Sequence, residues 1–278
     1  MTQNAQSARL ESLFSVAGLS VVVTGGASGI GLGFATALAA NGAKLALVDL
    51  DAQALETARA ELGDDVLTYA LDVCDADALR DAFAQIAKAR GGIDVLFANA
   101  GISGGPGFAA PDGSRPEGRE FEALDPSLLD RVLSVNIGAT FRTIQAVVPH
   151  MKSAGGGRII VTSSISASTT ELMVGAPYVA SKGGVGMLVK QAARELAAHN
   201  ILVNAISPGP VVTNIGGGRL QDAQARAPFE RAAPLGKIAR PDDLFGAALF
   251  FASPASSHVT GAEIIIDGGA CLGADRPA

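Results

Sequence analysis

Thr24-Gly25-Gly26-Ala27-Ser28-Gly29-Ile30-Gly31 lies between an apolar run, Leu19-Ser20-Val21-Val22-Val23, and an Ala-rich stretch from Ile30 to Asn41 that Gly42 closes. The apolar run reads as a buried strand, and the stretch after it as a helix ending on a C-terminal glycine. Glycines between the two permit a tight turn and a close backbone approach. The helix start adds free N–H groups and the positive end of a dipole. Such a turn suits a pyrophosphate. Asp49 ends the next apolar run, 18 residues beyond Gly31, where an acidic group can hydrogen-bond the ribose 2′-hydroxyl of NAD. A glycine-rich turn alone is weak evidence. With the acid at this spacing it points to dinucleotide binding, against the plainer alternative of a tight turn and a solvated aspartate.

Working outward from this unit, the same alternation repeats. Apolar runs at 44–49, 66–71, 93–98, 158–162, 201–206 and 263–267 read as strands, which with the first makes about seven. Helical stretches are expected over 52–62, 75–89, 127–151, 177–199 and 241–251. Continuous Val/Ile/Leu runs, rather than strict alternation, indicate strands covered on both faces. Strand–helix alternation at this spacing predicts an α/β fold, a doubly wound parallel sheet flanked by helices on both faces. No shift in composition marks a second domain, so residues 1–278 read as one domain with tails at 1–15 and 273–278. The segment 103–126, rich in Gly, Pro and charge, breaks the rhythm as a long inserted loop after the fourth strand. It reads equally as a substrate rim or a tolerated surface insertion.

Composition narrows the class. The 278 residues carry 21 Lys+Arg and 27 Asp+Glu, a formal charge of −6, with 48% hydrophobic and 17% charged residues. Low charge content argues against disorder, and the acidic balance against a nucleic-acid binder. No apolar run approaches the roughly 20 residues that cross a bilayer, and the polar start lacks the order of a secretion signal. Cys74 and Cys271 cannot form a disulfide framework, which suggests a reducing compartment and two inert buried thiols. A cytoplasmic protein without a membrane partner is expected. Glycine is in excess at 34 residues, clustered where apolar runs end, as ligand-approaching turns require. His150, His199 and His258 have no acid or cysteine at ligand spacing, so no metal is expected.

The turn has the form TGxxxGxG, and further motifs follow it in order. Asp72 stands after the third strand and Asn99-Ala100-Gly101 after the fourth, with Asn136 in the long helix. Then come Ser163-Ser164, Tyr178-Val179-Ala180-Ser181-Lys182, Pro208-Gly209-Pro210-Val211-Val212-Thr213 and Asp267-Gly268-Gly269. Taken together, the ordered set resembles the short-chain dehydrogenase/reductase family from about Leu19 to Gly269. The resemblance implies a single Rossmann-type domain, NAD as cofactor, a secondary alcohol or ketone as substrate, and a homotetramer with two-fold axes. It also implies a catalytic group of Asn136, Ser164, Tyr178 and Lys182. Cofactor contacts would come from Gly25, Ser28, Gly29, Ile30, Gly31, Asp49, Asp72, Val73, Asn99, Ala100, Gly101, Tyr178, Lys182, Pro208, Gly209, Val211 and Thr213. Residues 214–234 resemble the family's mobile lid over the substrate. Two positions depart from the pattern. Ala98 stands where the family usually has a second asparagine, and the step from Ser164 to Tyr178 is one residue longer than common. That leaves Ser163, and more remotely Ser166, as candidates for the active serine.

The residue types agree with hydride chemistry. Tyr178 and Lys182 are four apart and share a helix face, although a buried tyrosine with a snorkelling lysine would show the same spacing. A free tyrosine has a pKa near ~10; a nearby ammonium, together with the positive nicotinamide ring of the oxidised cofactor, is the right sign to lower it. Tyr178 would then exchange the hydroxyl proton, Ser164 would hold the substrate oxygen, and Asn136 a water linked to Lys182. Asp49 and Asp51, with no Lys or Arg directly after Asp49, favour NAD over NADP. Two other readings share these features: a relative that uses bound NAD(H) for epimerisation or dehydration, and a non-catalytic nucleotide-binding protein. The apolar residues around the helix from Tyr178 exceed what one sheet face can cover, which predicts a homo-oligomer.

Overall fold

A computed structural model describes residues 12–110 and 113–273. Most of both predicted tails lies outside these residues. Seven strands form one sheet in the order β3-β2-β1-β4-β5-β6-β7, every pair parallel. They are β1 (Ser20–Thr24), β2 (Lys44–Asp49), β3 (Leu67–Ala70), β4 (Val95–Ala98), β5 (Gly157–Thr162), β6 (Ile201–Pro208) and β7 (Glu263–Ile266). The helices are α1 (Gly29–Ala40), α2 (Ala52–Leu62), α3 (Ala76–Arg90), α4 (Pro126–Leu133), α5 (Thr140–Ala154), α6 (Ala176–Leu196), α7 (Ala223–Ala232) and α8 (Phe245–Ala252).

The period of two along each strand divides the core into two layers. Val22, Val48, Leu96, Ile159 and Val203 pack against α3, α5 and α6 through Phe83, Ile86, Val147, Met151, Val185 and Val189. On the other face Val21, Val23, Leu47, Phe97 and Ile160 pack against α1, α2 and α8 through Phe34, Leu38, Leu55 and Phe251. Phe34 and Phe97 meet with ring centroids 5.0 Å apart; truncating such a fully buried ring to alanine typically costs about 3–5 kcal/mol. Aspartates set the helix starts. Asp51 accepts from the Ala54 N–H and caps α2, and Asp75 accepts from the Asp77 and Ala78 N–H groups and caps α3.

Strand order reverses between β1 and β4, and at such a switch point a crevice opens at the carboxyl ends of the strands. Three segments differ from the sequence expectation. The helix expected over 127–151 is interrupted by a π-helical stretch, Ser134–Ala139. Residues 214–234, expected as a mobile lid, are folded into a 3-10 turn, Ile215–Gln221, followed by α7. The inserted loop is tied down at its start: Pro106 bridges Val174, and the Ala109 N–H donates to the Leu172 carbonyl at 3.0 Å. Ser103, Gly105 and Pro106 of its stem line the large cavity described below. Its outer part lines a second cavity of about 420 Å³ around Phe108, Arg115 and Phe121.

Candidate active site

The β1–α1 turn depends on its glycines for specific reasons. Gly25 and Gly29 have φ of +64° and +55°, the left-handed region. A Cβ on Gly31 would fall on the Gly25 carbonyl, and one on Gly25 would lie 2.9 Å from the Ala100 Cα. Ser28 occupies the N-cap of α1 without any side-chain cap, and the first turn holds no acid, so the helix start keeps N–H groups for an anion. Asn99 ties this turn to β4: its Nδ2 donates to the Thr24 and Gly25 carbonyls at 3.2 Å each, while its Oδ1 accepts from Thr162 Oγ1 at 2.9 Å. Asp49 ends β2 beside the turn. One oxygen accepts from the Ala27 N–H at 3.1 Å and the other from the Asp51 N–H at 3.2 Å.

One cavity of about 860 Å³ runs from this turn to the first turn of α6. Gly25, Ser28, Gly29, Ile30, Asp49, Asp72, Val73, Asn99, Ala100, Gly101, Pro208, Gly209, Val211 and Thr213 all line it, together with Ser164, Tyr178 and Lys182. A dinucleotide fits the residues present: a glycine turn whose tight course the backbone contacts of Gly25 and Gly31 require, an uncapped helix start, and a carboxylate at the end of β2. Lys182 and Arg219 are the only cations on the wall among the described residues. Two expected residues stay off it. Gly31 packs behind the turn. Asn136 is buried with its side chain taken up elsewhere: Oδ1 accepts from the Ile102 N–H at 2.9 Å, and Nδ2 donates to the Ile102 carbonyl at 3.1 Å and Ser181 Oγ at 3.0 Å. Its carbonyl accepts from Thr140 Oγ1 at 2.7 Å. The side chain thus positions the Ile102 loop and α6.

Tyr178 and Lys182 share one face of α6, as their spacing predicts. Pro177 opens the helix, and Gly104 lies so close to Tyr178 that a Cβ there would come within 2.7 Å of the Tyr178 Cβ. Lys182 Nζ donates to the Thr162 carbonyl at 2.8 Å and sits 5.6 Å from the tyrosine ring centre. Burial lowers its pKa to about 8. The Ser164 hydroxyl stands by the Tyr178 phenol and acts to lower its pKa. Ser164 Oγ donates to Ser166 Oγ at 3.1 Å, whereas the buried Ser163 hydroxyl has no hydrogen-bond partner among the described residues. The anticipated lowering of the phenol pKa is not produced by the protein's own groups. Burial pushes it up to about 12; the Ser164 hydroxyl pulls it down, and the nearby Glu171 carboxylate adds to the rise.

Glu171 escaped the sequence reading. It lines the cavity and accepts from Ser166 Oγ, yet it belongs to no spacing motif, and a lone Glu in a polar stretch gives no periodic signal. The lid residues Ile215, Arg219, Leu220 and Phe229 also reach the wall, with the Arg219 guanidinium 5.9 Å from the Phe229 ring centre. The two cysteines are partly exposed rather than buried. Burial pushes both thiols up, Cys271 to about 11, with help from Asp267, so they remain protonated and poorly nucleophilic.

Comparison with known proteins now decides the family. The family model described as enoyl-(acyl carrier protein) reductase matches residues 25–271. The chain is a short-chain dehydrogenase/reductase. It is 37% identical to a D-threitol dehydrogenase from Mycolicibacterium smegmatis, across 97% of this chain and 98% of that one. It is 34% identical to a gluconate 5-dehydrogenase from Gluconobacter oxydans, across 92% and 96%. A crystal structure of a short-chain type dehydrogenase/reductase from Mycobacterium marinum superposes with a TM-score of 0.84 at 33% identity, covering 94% of this chain and 98% of its own. As a member of this family the chain is an oxidoreductase that uses a nicotinamide cofactor. Among the described residues, no helix is long and apolar enough to cross a membrane.

Proposed function

We propose that this enzyme oxidises a secondary alcohol to a ketone, or runs the reverse, with NAD(H) preferred and Tyr178 as general acid and base. The observation that carries the reading is Tyr178 beside Ser164 and the buried Lys182, in the same cavity as the glycine cradle. When bound, the nicotinamide supplies the group that takes or gives the hydride and, oxidised, a positive ring beside the phenol. Ser164 orients the substrate oxygen, and Tyr178 holds the proton at that oxygen. At a pKa of about 12 only about one phenol in 10⁵ is ionised at pH 7. The resting phenol is therefore a proton donor suited to ketone reduction. For oxidation the phenolate must be favoured, and the Lys182 ammonium has the sign to do so below its pKa of about 8.

Asp49 supports NAD over NADP. A carboxylate about 4 Å from a 2′-phosphate repels it by roughly 4 kcal/mol at an effective dielectric of 20. Exposed Leu129, Phe141 and Met187 on α4, α5 and α6 support self-association, and a homotetramer is the assembly proposed. The decisive experiment incubates purified protein with NAD⁺ or NADP⁺ and a panel of secondary alcohols while following absorbance of the reduced cofactor. Net reduction is expected with NAD⁺. Substrate conversion without net reduction would replace this reading by epimerisation or dehydration on a retained cofactor. NADH binding with no conversion of any alcohol or ketone would mark a binding protein.

A further inference from the structure

Glu171 is a charged group that the hydride chemistry does not employ. It lies between β5 and α6, half-buried, on the wall of the cavity that holds Tyr178. One carboxylate oxygen accepts from Ser166 Oγ. The other receives no donor from the described residues, and none of their Lys, Arg or His side chains forms an ion pair with Glu171. A carboxylate desolvated without a counter-ion is costly, and burial raises its pKa despite the Ser166 hydrogen bond. It is also linked to the reacting centre. Ser164, beside the Tyr178 phenol, donates to Ser166, and Ser166 donates to Glu171. Ser166 is itself buried and its N–H donates to Ser164 Oγ at 3.2 Å, so the carboxylate is held two hydroxyls away from the phenol.

A group of this kind accepts hydrogen bonds and can donate none while ionised. We infer that Glu171, held by Ser166, is a specificity-determining residue that accepts a hydrogen bond from a substrate hydroxyl close to the reacting carbon, so that a neutral polyol is preferred over a carboxylate-bearing sugar acid. This rests on the dehydrogenase reading above and narrows it. A polyol places a second hydroxyl on a carbon adjacent to the carbinol, which supplies the missing donor to the free oxygen. A sugar acid brings a like charge into a poorly solvated pocket, where the repulsion is worth tenfold or more in affinity. Of the two wall cations among the described residues, Lys182 donates to the Thr162 carbonyl and Arg219 stands on the lid against Phe229.

The test compares wild type, Glu171→Gln, Glu171→Asp and Ser166→Ala with D-threitol, D-gluconate and 2-butanol at saturating NAD⁺. Wild type should favour threitol over gluconate at least tenfold in kcat/KM. Glu171→Gln should reduce that preference at least tenfold, mainly through a higher KM for threitol, and should narrow the preference for threitol over 2-butanol. Ser166→Ala should move both ratios in the same direction by a smaller factor. NADH fluorescence titration within twofold of wild type verifies the fold of each variant. If Glu171→Gln does not bind NADH, the ratios in Glu171→Asp and Ser166→Ala decide. Hydride transfer with ratios that change less than twofold overturns the inference and leaves the dehydrogenase reading standing. An equal loss for all three substrates marks a structural role and overturns it too. No transfer by wild type from any of the three, or from a wider alcohol panel, overturns both.

Discussion

At the cofactor end of the cavity the wall is backbone and short side chains anchored by the sheet. Gly25 and Gly29 turn at positive φ, Asn99 laces the turn to β4, and Asp49 is held by two N–H groups where β2 stops. Around Tyr178 the wall comes instead from segments that have left the sheet: the Ile102–Pro106 stem, the stretch from Ser164 to Val174, and the folded lid. The first end is a set of backbone constraints, and only certain residues satisfy them. The second is a set of side chains on irregular backbone, where many residues would fold equally well. One end is therefore general to dinucleotide binding, and the other is where choice of substrate resides.

The largest expected effect separates the two ends outright. Tyr178→Phe keeps the ring and loses the hydroxyl, so kcat should fall by about 10²–10⁴-fold while NADH affinity stays within a few-fold. Steady-state rates and fluorescence titration check this, and near-normal turnover would remove Tyr178 from the chemistry. Next, Asp49→Asn should cut the preference for NADH over NADPH by up to ~100-fold with little change in alcohol specificity. Equal affinities for the two cofactors in wild type would refute the charge argument. The pH profile is expected to be directional. Because burial raises the Tyr178 pKa to about 12, alcohol oxidation should climb with pH by up to about tenfold per unit until Lys182 loses its charge near pH 8. Ketone reduction should stay level through neutrality; an oxidation rate that falls between about pH 6 and 7.5 would contradict the assignment. The smallest effect is on stability. Gly31→Ala puts a Cβ onto the Gly25 carbonyl and should cost about 1–3 kcal/mol, seen as a drop in Tm of several degrees that NADH only partly restores.

What could be read from the sequence follows the same division. Strand positions were legible because a sheet buried on both faces leaves continuous apolar runs, and β1 to β7 lie within a residue or two of them. Glycine, Asp49 and the Tyr178–Lys182 pair were legible because their geometry needs a fixed spacing. Glu171 and Arg219 were not, since each reaches the wall through loop or lid conformation rather than periodicity. Direction of the phenol shift was missed for a different reason. It depends on the balance of burial and the Glu171 carboxylate against the Ser164 hydroxyl, and burial depth is a property of packing that no motif encodes. The split of one long helix into α4, a π turn and α5 was also invisible, because both halves carry helical patterns of their own.

That split has a consequence for phase. Val132 in α4 and Met151 in α5 are both fully buried. They stand nineteen positions apart, and a regular helix turning about 100° per residue would carry the second roughly 100° round from the first. The wider π turn at Ser134–Ala139 absorbs the surplus residue, so both halves keep their apolar sides inward. It also places Asn136 at the point of slack, with its side chain free to lock Ile102 and Ser181 together. A chain shortened by one residue there could wind as an uninterrupted helix with the same end-to-end packing, but it would have no position left from which a single amide could clamp the loop and α6 at once.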